Sequence, residues 1–195
     1  MGEAKRKQQK QREVEVWLAS LSPVEARVAK VAQALLGNFV RPMHSTGMCY
    51  RMTAFLTERL AADRIDVEPV VGYVTDGTDD IMISHAWIEL SGKRTDITLG
   101  ITEFPDVQAP GEVIVLDRVI SIGQQYSYLR EMSEAGRQKW EAMRNHSETH
   151  DVVEMKEAEH RAMVDIMRTS ANRRTYLDAA PDGWTYDRIA KIVGE

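Results

Sequence analysis

Cysteine is nearly absent. Cys49 is the only one in 195 residues, so no internal disulfide can staple the fold and one thiol is left to be explained. Basic excess is absent too. Lys and Arg number 25 against 30 Asp and Glu, and the formal charge of -5 removes the global attraction that nucleic acid or an anionic membrane would exert. No apolar run approaches the roughly 20 residues that cross a bilayer. The N-terminus is basic but has no apolar segment of the kind that marks a secretory signal. No internal repeat is visible. These absences lead to the expectation of a cytoplasmic protein with no membrane contact, and they disfavour nucleic acid as a partner.

What remains is ordinary globular material, 43% hydrophobic and 28% charged. A chain of this length buries enough apolar surface to fold without metal or disulfide. The pattern predicts an α+β protein in three parts: a basic N-terminal arm or helix over residues 1–20, a core over 21–122, and a C-terminal helical extension over 123–195 packed on that core. In the arm, Lys5, Arg6, Lys7, Lys10 and Arg12 stand against Glu3 without interleaved aromatics, the composition of a solvated tail. Ser22-Pro23-Val24-Glu25 is a helix start with a capping box, Val24, Val28, Val31 and Leu35 recur at helical spacing, and Gly37 is the expected stop. Residues 38–46 read as a loop, with Pro42 biasing Arg41 away from helix. A second helix is expected from Ser45 or Thr46 to about Ala62, with Met52, Phe55, Leu56 and Leu60 on one face and Cys49 in its first turn. Strands follow over 67–75, 81–90, 94–99 and 112–116. Residues 124–144 and 152–168 are charged and helical, and 185–193 make a last short helix. Tyr126, Tyr128 and Trp140 read equally as helix packing or as a partner surface.

The chemistry concentrates between Met48 and Leu99. Alternation along the second strand places Ile81, Ile83, His85, Trp87 and Glu89 on one face. A two-residue Ser91-Gly92 turn pairs Leu90 with Lys93 and hence Trp87 with Asp96, and a four-residue turn pairs His85 with Asp96 directly. Either register sets Asp96 on the face of His85, whereas a slip of one residue would turn it away. A thiol with a free pKa of about 8.5 needs a base to be a nucleophile at neutral pH. An imidazole serves, and a carboxylate on its other nitrogen holds its orientation. Free backbone N–H groups at the start of the Cys49 helix can meet a developing oxyanion, and the helix dipole favours a thiolate there. Such a set runs acyl transfer through a thioester. Singly, each residue has a plain explanation: a small packing cysteine, a half-buried strand histidine, a surface aspartate after a hairpin.

Gly47-Met48-Cys49-Tyr50-Arg51 opening a helix, then Ser84-His85-Ala86-Trp87-Ile88-Glu89, then Gly92-Lys93-Arg94-Thr95-Asp96-Ile97-Thr98, resembles the transglutaminase-like superfamily over about residues 38–100. The resemblance implies a papain-like core in which a cysteine-bearing helix packs on an antiparallel sheet. It makes Cys49 the nucleophile, His85 the base, Asp96 the orienting residue and Trp87 a shaping or packing aromatic. Papain-type sites carry a glutamine about six residues before the cysteine for the oxyanion hole. Here Met43 stands there, with His44 and Ser45 as the neighbouring polar substitutes.

The expected function is therefore a cysteine-dependent acyl-transfer enzyme that hydrolyses a peptide or amide bond, with transfer to an amine as the close variant. Its substrate would be a peptide or protein, and the C-terminal helices offer a candidate homodimer contact. The competing expectation is an inactive member of the same fold acting as a binding or inhibitory module. No cofactor is expected. No metal is expected either, because His146, His150, Asp151, Glu154 and His160 form no compact ligand set of the His-Glu-x-x-His kind.

Overall fold

The structure, a computed structural model, describes residues 2–194 apart from 45, 79, 103–104 and 106–107, with backbone alone for 2–8 and 10–11. It is an α+β protein. After helix α1 (Gly2–Ser20), α2 (Pro23–Leu35) starts on its capping box. Ser22 Oγ accepts from the Glu25 N–H at 3.3 Å, and Glu25 Oε2 accepts from the Ser22 N–H at 2.9 Å. Two donors that a helix start leaves orphaned are thereby satisfied. Val28, Val31 and Leu35 are fully buried.

The helix does not stop at Gly37. It widens into a π turn over Leu36–Val40 and continues as α3 (Arg41–Met43), so the loop expected over 38–46 is helical through Met43. Leu36, Phe39 and Val40 are buried on this continuation, while Gly37 is exposed in open space. Burying three apolar side chains outweighs the roughly 1 kcal/mol that a helical glycine costs. The π turn also explains how Pro42 is tolerated. In a regular α-helix its ring would strike the carbonyl four residues back, and the wider turn shifts that carbonyl aside.

Helix α4 (Cys49–Ala62) begins on the cysteine itself, after Met48 as an N-cap without a side-chain bond. Its Met52, Ala54, Phe55, Leu56 and Leu60 are buried. The strands are β1 (Glu68–Thr75), β2 (Ile83–Leu90), β3 (Lys93–Thr95), β4 (Val113–Val115), β5 (Arg118–Ser121) and β6 (Ser127–Leu129). An antiparallel sheet runs β3-β2-β1-β6, and β4-β5 form a separate hairpin. Helix α4 packs on β2, where Ala86 and Ile88 join its core. The third strand is shorter than its pattern predicts. At Asp96 the chain leaves β2 and bonds Ile114 instead, with N–H to carbonyl distances of 2.8 Å both ways.

Residues 124–144 are not one helix. Residues 127–129 are the edge strand β6 on β1, and helix α5 (Glu134–Arg144) starts only after Ser133, whose Oγ accepts from the Gly136 N–H at 3.0 Å. Gly72 makes room for that edge. A Cβ there would sit 2.4 Å from the Leu129 carbonyl oxygen and 2.8 Å from the Trp87 ring.

Helices α6 (His150–Met167), α7 (Ser170–Asp178) and α8 (Tyr186–Val193) complete the chain. Met167, Leu177, Ile189 and Val193 are buried in the same cluster as the apolar faces of α2 and α4. Among the described residues no helix is long and apolar enough to cross a membrane. A buried ion pair joins α7 to α4: Arg173 Nε donates to Glu58 Oε1 at 2.7 Å, Ser170 donates to Glu58 Oε2 at 2.7 Å, and Arg173 Nη1 donates to the Met167 carbonyl at 2.5 Å. Removing one partner strands the other charge in the core. Glu58→Ala is expected to lower unfolding free energy by about 3–5 kcal/mol, read from urea denaturation.

Candidate active site

The hairpin sets the geometry. Ser91 and Gly92, at φ 51° and 79°, make the two-residue turn whose twist suits antiparallel strands, and Leu90, Glu89 and Ile88 pair with Lys93, Arg94 and Thr95. Asp96 comes one residue later, on the face of β2 that carries His85 and Trp87. Its carboxylate is 2% exposed and fully engaged. Oδ1 accepts from the Thr98 N–H and hydroxyl, both at 2.9 Å. Oδ2 accepts from the Tyr128 hydroxyl at 2.8 Å and pairs with His85 Nε2 at 2.6 Å. Burial pushes Asp96 upward, yet His85, Thr98 and Tyr128 more than offset that and hold its carboxyl below the ordinary range.

His85 is 5% exposed. Burial disfavours its charged form, but the Asp96 carboxylate and the side chain of Cys49 outweigh burial and raise it to about 10. At neutral pH the ring is an imidazolium. Its Nε2 donates to Asp96, and the Cys49 side chain lies near enough to the ring to help hold its proton. Cys49 is a free, partly exposed thiol at the first position of α4. The backbone N–H groups of that first turn have no acceptor within the helix, and Met48 supplies no side-chain cap.

The structure thus brings Cys49, His85 and Asp96 together. Trp87, on the strand face of His85, is 2% exposed, with Nε1 donating to Glu89 Oε1 at 2.8 Å and its ring edge-on to Tyr128 at 5.2 Å. His44 stands apart. It is exposed, left-handed at φ 45°, and closes α3 through its N–H to the Arg41 carbonyl. Ser45, the other substitute named for the oxyanion position, lies outside the described residues.

Thr98 and Tyr128 were missed in the sequence. Thr98 has a readable signal, because Asp-x-Thr is the spacing at which an aspartate side chain binds the N–H two residues on. Tyr128 has none, since only the pairing of β6 with β1 carries it to Asp96, 32 residues away. The Arg94 guanidinium covers the Tyr128 ring at 3.8 Å. Two cavities, of about 230 and 450 Å³, share Pro69, Met167 and Arg168; the larger reaches Thr57 and Ala61 in the last half of α4, and Cys49 lines neither. Among the described residues no three His, Cys, Asp or Glu side chains converge as metal ligands.

No protein-family model, curated protein or solved structure matches the chain.

Because Asp96 is depressed in the fold, its stabilisation is present above the unfolded carboxyl value near 3.8 and lost as pH falls through the lower, folded one. Tyr128→Phe removes one donor and lets Asp96 rise toward its ordinary value. Acid unfolding, followed by circular dichroism, is therefore expected to set in at a higher pH than in the unaltered protein.

Proposed function

We propose that the protein is a cysteine-dependent acyl-transfer enzyme of the transglutaminase-like, papain-like kind, hydrolysing a peptide or amide bond. The observation that carries this reading is one imidazole bonded to a buried carboxylate at 2.6 Å, with the sole thiol of the chain near enough to strengthen its hold on a proton. The chain order Cys, His, Asp and a cysteine-bearing helix packed on an antiparallel sheet support it.

In this reading His85 holds the proton taken from Cys49, and the Cys49 sulfur, as a thiolate, attacks the carbonyl carbon of a peptide or protein substrate. The carbon–sulfur bond forms as the carbonyl π pair moves onto oxygen, where N–H groups of the first turn of α4 can donate to it. The carbon–nitrogen bond then breaks, and the proton on His85 Nδ1 goes to the leaving amine. Water, giving its proton to His85, attacks the thioester and releases the acid and the Cys49 thiolate, which restores the starting pair. An amine in place of water gives transfer. Asp96 keeps the ring aligned and charge-balanced throughout without taking the proton. A reacting thiol suits a reducing compartment such as the cytoplasm. The second reading, a binding module without chemistry, draws on the two cavities that Cys49 does not line.

Iodoacetamide provides the test, since Cys49 is the only thiol in the chain and its adduct can be followed site by site by mass spectrometry. Labelling of Cys49 is expected to slow by about tenfold or more in His85→Ala, the scale of a lost general base. A chromogenic acyl ester is expected to leave a Cys49 acyl adduct visible by mass spectrometry. Equal, slow labelling in both proteins with no adduct overturns the enzyme reading and favours the module.

A further inference from the structure

A second hydrogen-bonded chain lies one residue away from each half of the proposed catalytic pair, and neither Cys49 nor His85 belongs to it. Tyr50 follows Cys49 in the first turn of α4, and Ser84 precedes His85 on β2. The Tyr50 hydroxyl and Ser84 Oγ are 2.6 Å apart. Ser84 Oγ lies 2.5 Å from Nδ1 of His160, which comes from the C-terminal helix α6. Ser84 pairs across the sheet with Tyr73, and the His160 ring stacks on Tyr73 with centroids 4.6 Å apart and planes 16° from parallel. One imidazole from α6 thus caps a cross-strand pair and terminates a bridge between the helix of the nucleophile and the strand of the base.

The directions of these bonds follow from chemistry. Burial, with the neighbouring Cys49 adding to it, raises Tyr50 well above the ordinary phenol range, so it stays protonated. A phenol is the stronger donor of the two hydroxyls and gives its proton to Ser84 Oγ, whose own proton goes to His160. Burial, then Arg161, lowers His160 against the opposing pull of Glu157, so the ring is neutral and Nδ1 can accept.

We infer that Ser84 and His160 are positioning residues, through which helix α6 sets the distance and angle between Cys49 and His85. The inference rests on the proposed role of that pair. Consecutive Cα atoms are locked about 3.8 Å apart. A short bond between Tyr50 and Ser84 therefore constrains the spacing of the residues beside them. Misplacing reacting groups by about 1 Å can cost about 100-fold in rate. The C-terminal helices become part of the working site, and His160 is their point of contact with it.

The test follows iodoacetamide labelling of Cys49 from about pH 5 to about pH 10 in the full chain. His160→Phe keeps a ring to stack on Tyr73 and removes the acceptor, His160→Asn restores an acceptor near the position of Nδ1, and Ser84→Ala breaks the bridge with the smallest change of volume. His160→Phe and Ser84→Ala are expected to slow labelling by about tenfold and to move the pH profile toward that of His85→Ala, with His160→Asn close to the unaltered protein. Profiles of His160→Phe and Ser84→Ala that superimpose on the unaltered protein, while His85→Ala slows, overturn the inference and leave the acyl-transfer reading standing. A His85→Ala profile unchanged from the start brings down that reading instead. The brace is then judged by the ring ¹⁵N resonances of His85. Displacement in Ser84→Ala supports it, and unmoved resonances in both Ser84→Ala and His160→Phe overturn it. Ser84→Ala alone carries the test if His160→Phe does not fold.

Discussion

An imidazolium and a carboxylate buried side by side are tolerable only when every remaining lone pair and proton is satisfied, and that constraint organises this molecule. Taking each ion out of water costs several kcal/mol even after relaxation. Here both carboxylate oxygens of Asp96 are occupied, by Thr98, Tyr128 and His85, and Nε2 of His85 is bonded to Asp96 while Cys49 lies close to the ring. Each partner makes a demand on the fold. Thr98 requires the chain to turn immediately after Asp96, so β3 is short and the chain crosses to β4. Tyr128 requires an edge strand beside β1, and that strand can approach only because Gly72 has no side chain.

Helix α4 is held at both ends by different chemistry. Its first turn meets β2 through Tyr50 and Ser84 next to the His85 site, while its last half is tied to α7 by the buried pair of Glu58 and Arg173. Between these points lies a mostly apolar stretch, with Ala54, Phe55 and Leu56 at 2% exposure or less and the buried Thr57 hydroxyl bonded back to the Thr53 carbonyl. Apolar packing is non-directional and fixes that the helix lies on the sheet. The polar ties fix where along the sheet it lies. A thiol at the first position of such a helix acquires a defined place without a loop that has to be ordered, and rigid elements hold side chains more accurately than loops do.

Much of the local structure was legible. The capping box at Ser22, the apolar face of α4, the alternation of β2 and the two-residue turn at Ser91-Gly92 are all short-range patterns, and short-range patterns carry most of the signal for local structure. The shared face of His85 and Asp96 followed from them, because a two-residue turn leaves little freedom of register. Local rules misled where burial overrode them. Gly37 and Pro42 argued for a loop, yet three apolar side chains, Leu36, Phe39 and Val40, carried the helix onward through a π turn. Residues 124–129 looked helical by composition, yet an open edge on β1 drew 127–129 into the sheet.

The sequence by itself determined the three chemical groups, their order, the elements that bear them and the face that two of them share, because alternation and turn geometry act over a few residues. Only the tertiary structure decided that the thiol comes close to the same imidazole, that Tyr128 completes the carboxylate, and that His160 of a distant helix reaches Ser84. Those contacts join residues 32 to 76 positions apart. They exist because burying the apolar faces of α4, the sheet and the C-terminal helices together brings those residues within hydrogen-bond range, and no local pattern encodes which polar groups such packing makes neighbours.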